Sequence, residues 1–96
     1  MDSNIRLNTV KKIKDKSILE DIIINGQYND SRIEAISKIK NQGILVDLAE
    51  NDEDPKIREA ACKQIVSYSV LENIAKTDSD KYVREVAKKR SKILKK

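Results

Sequence analysis

The chain has 96 residues, of which 39% are hydrophobic, 38% charged and 3% aromatic, with a formal net charge of +4. Without histidine it cannot form a Ser–His–Asp triad or a His-ligated zinc site, and one cysteine cannot form an internal disulfide or an all-thiolate metal site. A core without Phe or Trp must be built from Ile, Leu, Val and Ala, which favours closely packed helices in one small domain.

Neither a membrane span nor a signal peptide is predicted. The longest apolar runs, residues 22–24 and 44–46, are far shorter than the ~20 residues that a span needs. The first residues, Met-Asp-Ser-Asn, lack the basic and apolar regions of a signal peptide. We therefore expect a cytoplasmic protein without membrane association, in which Cys62 is reduced. A small, partly buried apolar side chain is the favoured interpretation of Cys62, rather than a reactive thiol.

A sequence repeat runs through the chain. Four of the five arginines, Arg6, Arg32, Arg58 and Arg84, are equally spaced although lysine is three times as common, and their spacing is called the repeat interval here. Apolar residues share it: Ile13, Ile39 and Ile65; Leu19, Leu45 and Leu71; Ile22, Leu48 and Ile74; and Ala35, Ala61 and Ala87. An interval of about 26 residues falls within the range of roughly 20 to 50 that indicates a solenoid, propeller or other repeat array. It predicts a single repeat domain over 1–96, with repeats over about 2–27, 28–53 and 54–79 and a terminal helix over 80–96.

Each repeat is predicted to hold two short helices, A and then B. Asp2, Asp54 and Asp80 are good N-caps for helix A, and Pro55 suits the first helical position. In the third repeat, helix A is expected over roughly 55 to 66. Its apolar residues then share one helical face.

Helix B is expected to begin at a capping box. Ser69 precedes Glu72 by three residues, Ser17 precedes Glu20 in the same way, and Gly43 holds the position in the middle repeat. A helix of about eight residues is not stable alone, so it must pack on its neighbours. In the terminal helix Ser91 stands where the other repeats have Ile, among basic residues, which predicts a polar capping face.

The motifs resemble short HEAT-like repeats. Residues 52–61 read Asp-x-Asp-x-x-Ile-Arg-Glu-Ala-Ala, and residues 70–87 read Val-Leu-x-x-Ile-Ala-x-x-Asp-x-Asp-x-x-Val-Arg-Glu-x-Ala. The resemblance implies an all-α fold, an α-solenoid of about seven short helices and three and a half helix pairs, with A helices on the convex side and B helices on the concave side. It also implies protein–protein interaction, although a fold alone fixes no function. Such repeats also occur in bilin lyases, but no site residue carries over.

The periodic arginines and aspartates are interpreted as a structural ladder. Its members are Arg32, Asp52, Asp54, Arg58, Asp78, Asp80 and Arg84. Each arginine is expected to bind an acid of the loop before it: Asp52 or Asp54 for Arg58, and Asp78 or Asp80 for Arg84. Arginine is required where two parallel hydrogen bonds to a carboxylate are made. The alternative is a row of phosphate contacts.

The outward side of the B helices is the predicted partner-binding surface. Its residues are Glu20, Asp21, Ile24, Val46, Asp47, Glu50, Glu72 and Lys76, with Asn73 beside them. It is mostly acidic, with Ile24 and Val46 expected as exposed apolar side chains, so a basic peptide or protein face is the expected ligand. The alternative is an ordinary surface with scattered aliphatic residues.

Basic residues form a stripe along the A helices. It comprises Lys11, Lys63 and Lys89; Lys12, Lys38 and Arg90; and Lys14, Lys40 and Lys92. This stripe is either a surface for nucleic acid or an acidic partner, or a solvated face that keeps the protein soluble. No aromatic residue lies among these lysines to stack on bases, which favours the solvated face.

The sequence as a whole predicts a small, non-catalytic protein–protein interaction scaffold of a prokaryote, with a protein partner and no cofactor or metal. It is expected to be a monomer or a weak dimer. A nucleic-acid-associated protein that uses the convex lysines is the alternative. A lyase-like enzyme subunit is the least favoured alternative, because no nucleophile or acid–base pair stands apart from the repeated residues.

Overall fold

A computed structural model describes residues 2–95. Within that range the chain is all-α, as predicted, with seven helices and no strand. The helices are α1 (Ser3–Lys12), α2 (Lys16–Asn25), α3 (Asn29–Ile36), α4 (Gln42–Asn51), α5 (Pro55–Cys62), α6 (Tyr68–Thr77) and α7 (Lys81–Leu94). The repeat interval separates the first residues of α1, α3, α5 and α7, and also those of α2, α4 and α6.

The predicted N-caps of the A helices are confirmed. The carboxylate of Asp2 accepts from the first turn of α1, that of Asp54 from the first turn of α5, and that of Asp80 from the first turn of α7. Helix α5 ends at Cys62, however, four residues before the expected end. Tight turns close at residues 63–65, and extended Ser67 must precede the first turn of α6.

The predicted caps of the B helices are wrong by two residues. The N-caps are Asp15, Asn41 and Ser67, whose side chains accept from main-chain N–H groups of the first turns of α2, α4 and α6. Ser17 and Ser69 lie inside the first turns instead. The true caps are themselves separated by the repeat interval and are all good capping types.

The chain forms two compact units, Met1–Ile39 and Lys40–Lys96. In the N-terminal unit, α1 and α2 both pack on α3. In the C-terminal unit, α5 packs on α4 and α7, and α6 packs on α7. The predicted single repeat domain, with boundaries near 27, 53 and 79, stays a prediction.

Both units have an aliphatic core. The N-terminal unit buries Val10, Leu19, Ile23, Ala35, Ile36 and Ile39. The C-terminal unit buries Leu45, Leu48, Ala49, Ile57, Ala61, Cys62, Ile65, Leu71, Ile74, Val83 and Ala87. Most of the periodic apolar residues are therefore core residues, and only Ile13 and Ile22 are half-buried.

Ser91 does not lie on a polar outer face. It is only 3% exposed, and its hydroxyl donates to the carbonyl of Lys88 at 2.8 Å, one turn earlier in α7. A hydroxyl that is satisfied within its own helix can be buried at little cost. The expectation of a capping face at this residue is wrong.

Candidate functional site

Arg58 holds two loops together in the C-terminal unit. Its Nε and Nη2 donate to the Asp78 carboxylate at 3.0 and 3.2 Å, and its Nη1 donates to the carbonyls of Asp52 and Glu53 at 2.8 and 3.2 Å. The side chains of Arg58 and Asp78 are only 12% and 8% exposed. Two parallel bonds between a guanidinium and a carboxylate are a geometry that lysine cannot copy.

Two other periodic arginines donate to main-chain carbonyls. Arg84 donates from Nη1 to the carbonyl of Asp78 at 2.7 Å. In the N-terminal unit Arg32 donates from Nε to the carbonyl of Ile23 at 2.8 Å. Arg84 thereby ties the first turn of α7 to the loop before it, and Arg32 ties the first turn of α3 to the last turn of α2.

Arg6 is bound differently from the other periodic arginines. Its Nη2 donates to Asp30 Oδ2 at 3.0 Å, and its guanidinium lies 4.0 Å from the centre of the Tyr28 ring. The hydrogen bond from Arg6 lowers the pKa of Asp30 below its ordinary value. This ion pair joins α1 to α3 inside one unit.

The carboxylate that binds Arg58 differs from the expected one. The loop before Arg58 contributes main-chain carbonyls, and the carboxylate comes from Asp78 in the loop that follows the next B helix. The acids of the preceding loop have other roles: the Asp52 carboxylate accepts from the N–H of Asp54, and Asp54 caps α5. In the same way Asp78 Oδ1 accepts from the N–H of Asp80, which caps α7.

A polar groove of about 420 Å³ lies between α4 and α6 and is called the B groove here. Its lining is Ala49, Glu50, Arg58, Asn73, Ile74, Thr77, Asp78 and Ser79. Glu50, Asn73 and Thr77 are solvent-exposed, and the Arg58–Asp78 pair borders them. The groove therefore presents one free-standing carboxylate among amide and hydroxyl groups.

The predicted partner-binding residues are only partly brought together. Glu50 lines the B groove, whereas Asp47, Glu72 and Lys76 lie on the same two helices outside its lining. Val46 is half-buried, not exposed as expected, because it lies one turn from fully buried Ala49 on α4. Thr77 and Ser79 were missed, although Thr77 follows Asn73 by four residues on the same helix face.

The remaining predicted residues lie on α2, in the N-terminal unit. Ile24 is 61% exposed, Asp21 is exposed and Glu20 is half-buried. The Asp21 carboxylate accepts from Asn25 at 2.8 Å, and Asp47 accepts from Asn51 at the same distance on α4. These two acids therefore bond within their own helices as well as facing outward.

Two residues of the basic stripe bind main-chain carbonyls, a role that the sequence analysis missed. The Lys38 ammonium donates to the carbonyls of Val10 and Lys11 at 3.0 and 2.6 Å, and also to that of Ile13. Arg90 donates from Nε to the carbonyl of Ile65 at 3.0 Å. Carbonyls at a helix C-terminus lack partners in the helix and attract cations. Lys38 therefore stabilises the end of α1, and Arg90 stabilises the turns that follow α5.

Cys62 is fully buried, more deeply than the partial burial that was predicted. Burial, together with the nearby carboxylates of Asp78 and Glu59, raises the pKa of its thiol to about 12. The thiol is therefore protonated at neutral pH and is a poor nucleophile.

Comparisons with protein-family models, with curated proteins and with solved structures find no match to the chain. Across residues 2–95, no three His, Cys, Asp or Glu side chains are grouped so that they could hold a metal ion. In that same range no helix has both the length and the apolar character needed to cross a membrane.

Proposed function

We propose that this chain is a HEAT-like helical-repeat protein, an α-solenoid, whose B helices bind a basic segment of another protein. The recurrence of helix starts and N-caps at the repeat interval supports the repeat assignment. So does the recurrent packing: in both units one A helix packs on the next, and a B helix packs on the A helix that follows it.

The lining of the B groove is the main support for the proposed binding of a basic segment. Exposed Glu50 supplies a negative charge, and Asn73 supplies an amide that both donates and accepts. The Thr77 hydroxyl donates to the carbonyl of Asn73 at 2.8 Å, so it supplies an acceptor. This set suits the side chain of a lysine or arginine together with the main chain of an extended peptide. Residues 43–60, which include Glu50, carry a net charge of −4, which attracts a basic partner.

The proposed function is binding without catalysis. Asp78 and Arg58, the oppositely charged pair of the B groove, are engaged in a four-bond network that joins two loops. Groups held in this way stabilise the fold. They contribute shape and charge to the groove rather than a free acid or base.

Binding of a fluorescein-labelled peptide rich in lysine and alanine, followed by fluorescence polarisation, tests the proposal. We expect Glu50→Lys to weaken binding about tenfold, which corresponds to ~1.4 kcal/mol. Glu85→Lys is the matched control, because Glu85 is exposed on α7 and does not line the groove. Equal loss in both variants would indicate a general charge effect, and absence of binding by the natural protein would refute the proposal.

A further inference from the structure

A second groove lies on the A-helix side of the C-terminal unit and is called the basic groove here. It encloses about 460 Å³ and is lined by Lys63, Val86, Lys89, Arg90 and Ile93. The last four are spaced as i, i+3, i+4 and i+7 along α7, so they share one helix face. Lys63 contributes from the end of α5, where it is the C-cap.

Arg90 gives the basic groove a positive charge in a fixed position. Its Nε donates to the carbonyl of Ile65, and the side chain is half-buried. This bond uses Nε alone, so the two Nη groups of an already oriented guanidinium can donate to a ligand in the groove. A side chain that is held in its binding geometry loses little entropy when an anion binds. Lys63 and Lys89 are exposed and add two mobile ammonium groups.

The groove is also apolar, and the apolar side chains are aliphatic. Ile93 is 62% exposed, and Val86 is half-buried beside it. An exposed isoleucine next to three cations provides area that a ligand can remove from water. Single-stranded nucleic acid would stack its bases on aromatic rings, and none lines this groove. A duplex would use only the cations, through its phosphates, and would leave the apolar side chains of Ile93 and Val86 uncovered.

We propose that the basic groove binds an acidic amphipathic segment of a partner protein, in which carboxylates alternate with leucine or isoleucine side chains. The carboxylates pair with Arg90, Lys63 and Lys89, and one aliphatic side chain packs on Ile93 and Val86. This site is distinct from the B groove in position and in charge. It is therefore independent of the binding of a basic segment there.

A synthetic fluorescein-labelled peptide rich in glutamate and leucine is the probe, read by fluorescence polarisation on the full chain. We expect Lys89→Glu and Ile93→Ser each to weaken binding about tenfold, through loss of charge pairing and loss of apolar burial. Lys81→Glu is the control, because Lys81 is exposed at the start of α7 outside the groove and an acid is favourable in a first turn. Binding to Glu50→Lys should be no weaker, which separates this site from the B groove.

Three results would overturn the proposal. The first is no binding of the peptide by the natural protein. The second is an Ile93→Ser variant that binds as tightly as the natural protein. The third is displacement of the peptide by a single-stranded oligothymidylate whose own binding depends on Lys89 but not on Ile93, because that pattern indicates a phosphate-binding surface.

Discussion

Arg58 is the residue whose chemistry most constrains the C-terminal unit. Three of its nitrogens donate to four oxygens, two on the Asp78 carboxylate and two on main-chain carbonyls. A lysine at this position has one nitrogen and cannot reach both loops at once. Because both side chains are largely buried, any bond that is lost leaves a charge or a carbonyl without water to replace it.

We predict that Arg58→Lys lowers the free energy of unfolding by about 2 kcal/mol, because at least two of the four bonds are lost near a buried carboxylate. For a domain of this size that is a fall in Tm of about 10 °C, measured by circular dichroism. Arg84→Lys is the matched control, since Arg84 makes one bond, to the carbonyl of Asp78, and should cost about 0.5–1 kcal/mol. An unchanged melt of Arg58→Lys would contradict the structural role of the ladder.

The partner of Arg58 could not be predicted from the repeat alone. Asp52 and Asp78 occupy equivalent positions in successive repeats, so a periodic pattern does not say which of the two loops supplies the carboxylate. The choice follows from packing of α5 on α7, which brings Asp78 to the Arg58 side chain. The carbonyl contacts of Lys38 and Arg90 could not be predicted for the same reason, because the accepting main chain lies at or just after the end of the preceding A helix.

Helices and their order were predictable because local signals repeat. The N-caps of α1, α5 and α7 follow from aspartates placed before apolar-periodic segments. The B-helix caps were misplaced because two capping residues compete within three positions, as in Ser67 and Ser69. The repeat interval distinguishes them: residues 15, 41 and 67 are all capping types, whereas the phase of Ser69 includes Gly43.

The surface was less predictable than the core. Val46 lies on α4 beside buried Leu45 and Ala49, at the edge of the apolar stripe. The periodic pattern does not determine whether a residue at that edge is buried or exposed. The B groove depends on how α4 and α6 approach each other, so Glu50 and Asn73 were foreseen on the right face without the groove itself.

The start of α2 provides a direct test at the scale of one element. The Asp15 carboxylate accepts from the N–H groups of Ser17 and Ile18 at 2.8 and 3.3 Å. We predict that Asp15→Ala lowers the free energy of unfolding by about 1 kcal/mol, because two N–H groups of the first turn lose their acceptor. Ser17→Ala should be neutral or slightly stabilising, since alanine is the better helix former.

Urea denaturation of both variants, followed by circular dichroism, measures the difference. Equal destabilisation would contradict the assignment of Asp15 as the sole cap. A larger loss for Ser17→Ala would identify Ser17 as the N-cap, as the capping-box interpretation predicts. The same comparison applies to the other B helices, where Asn41 and Ser67 are the caps.

At the scale of the whole molecule, the two units differ in the number of helices that they contain. The C-terminal unit holds four helices, and the contacts that join them lie within residues 40–95: Arg58 with Asp78, Arg90 with Ile65, and Gln42 with the main chain of Gln64 and Val66. The N-terminal unit holds three helices in Met1–Ile39. Chains below about 40 residues rarely bury enough surface to fold alone.

We therefore predict that a fragment of residues 40–96 folds by itself and a fragment of residues 1–39 does not. The longer fragment buries the eleven core residues from Leu45 to Ala87 and keeps its helix caps, so it should show a helical spectrum and one cooperative melt. The shorter fragment should show little helix, because short helices need packing that three of them scarcely provide. Circular dichroism and proton–nitrogen correlation spectra measure both. A C-terminal fragment that melts without cooperativity would mean that its core is insufficient and that the chain folds only as a whole.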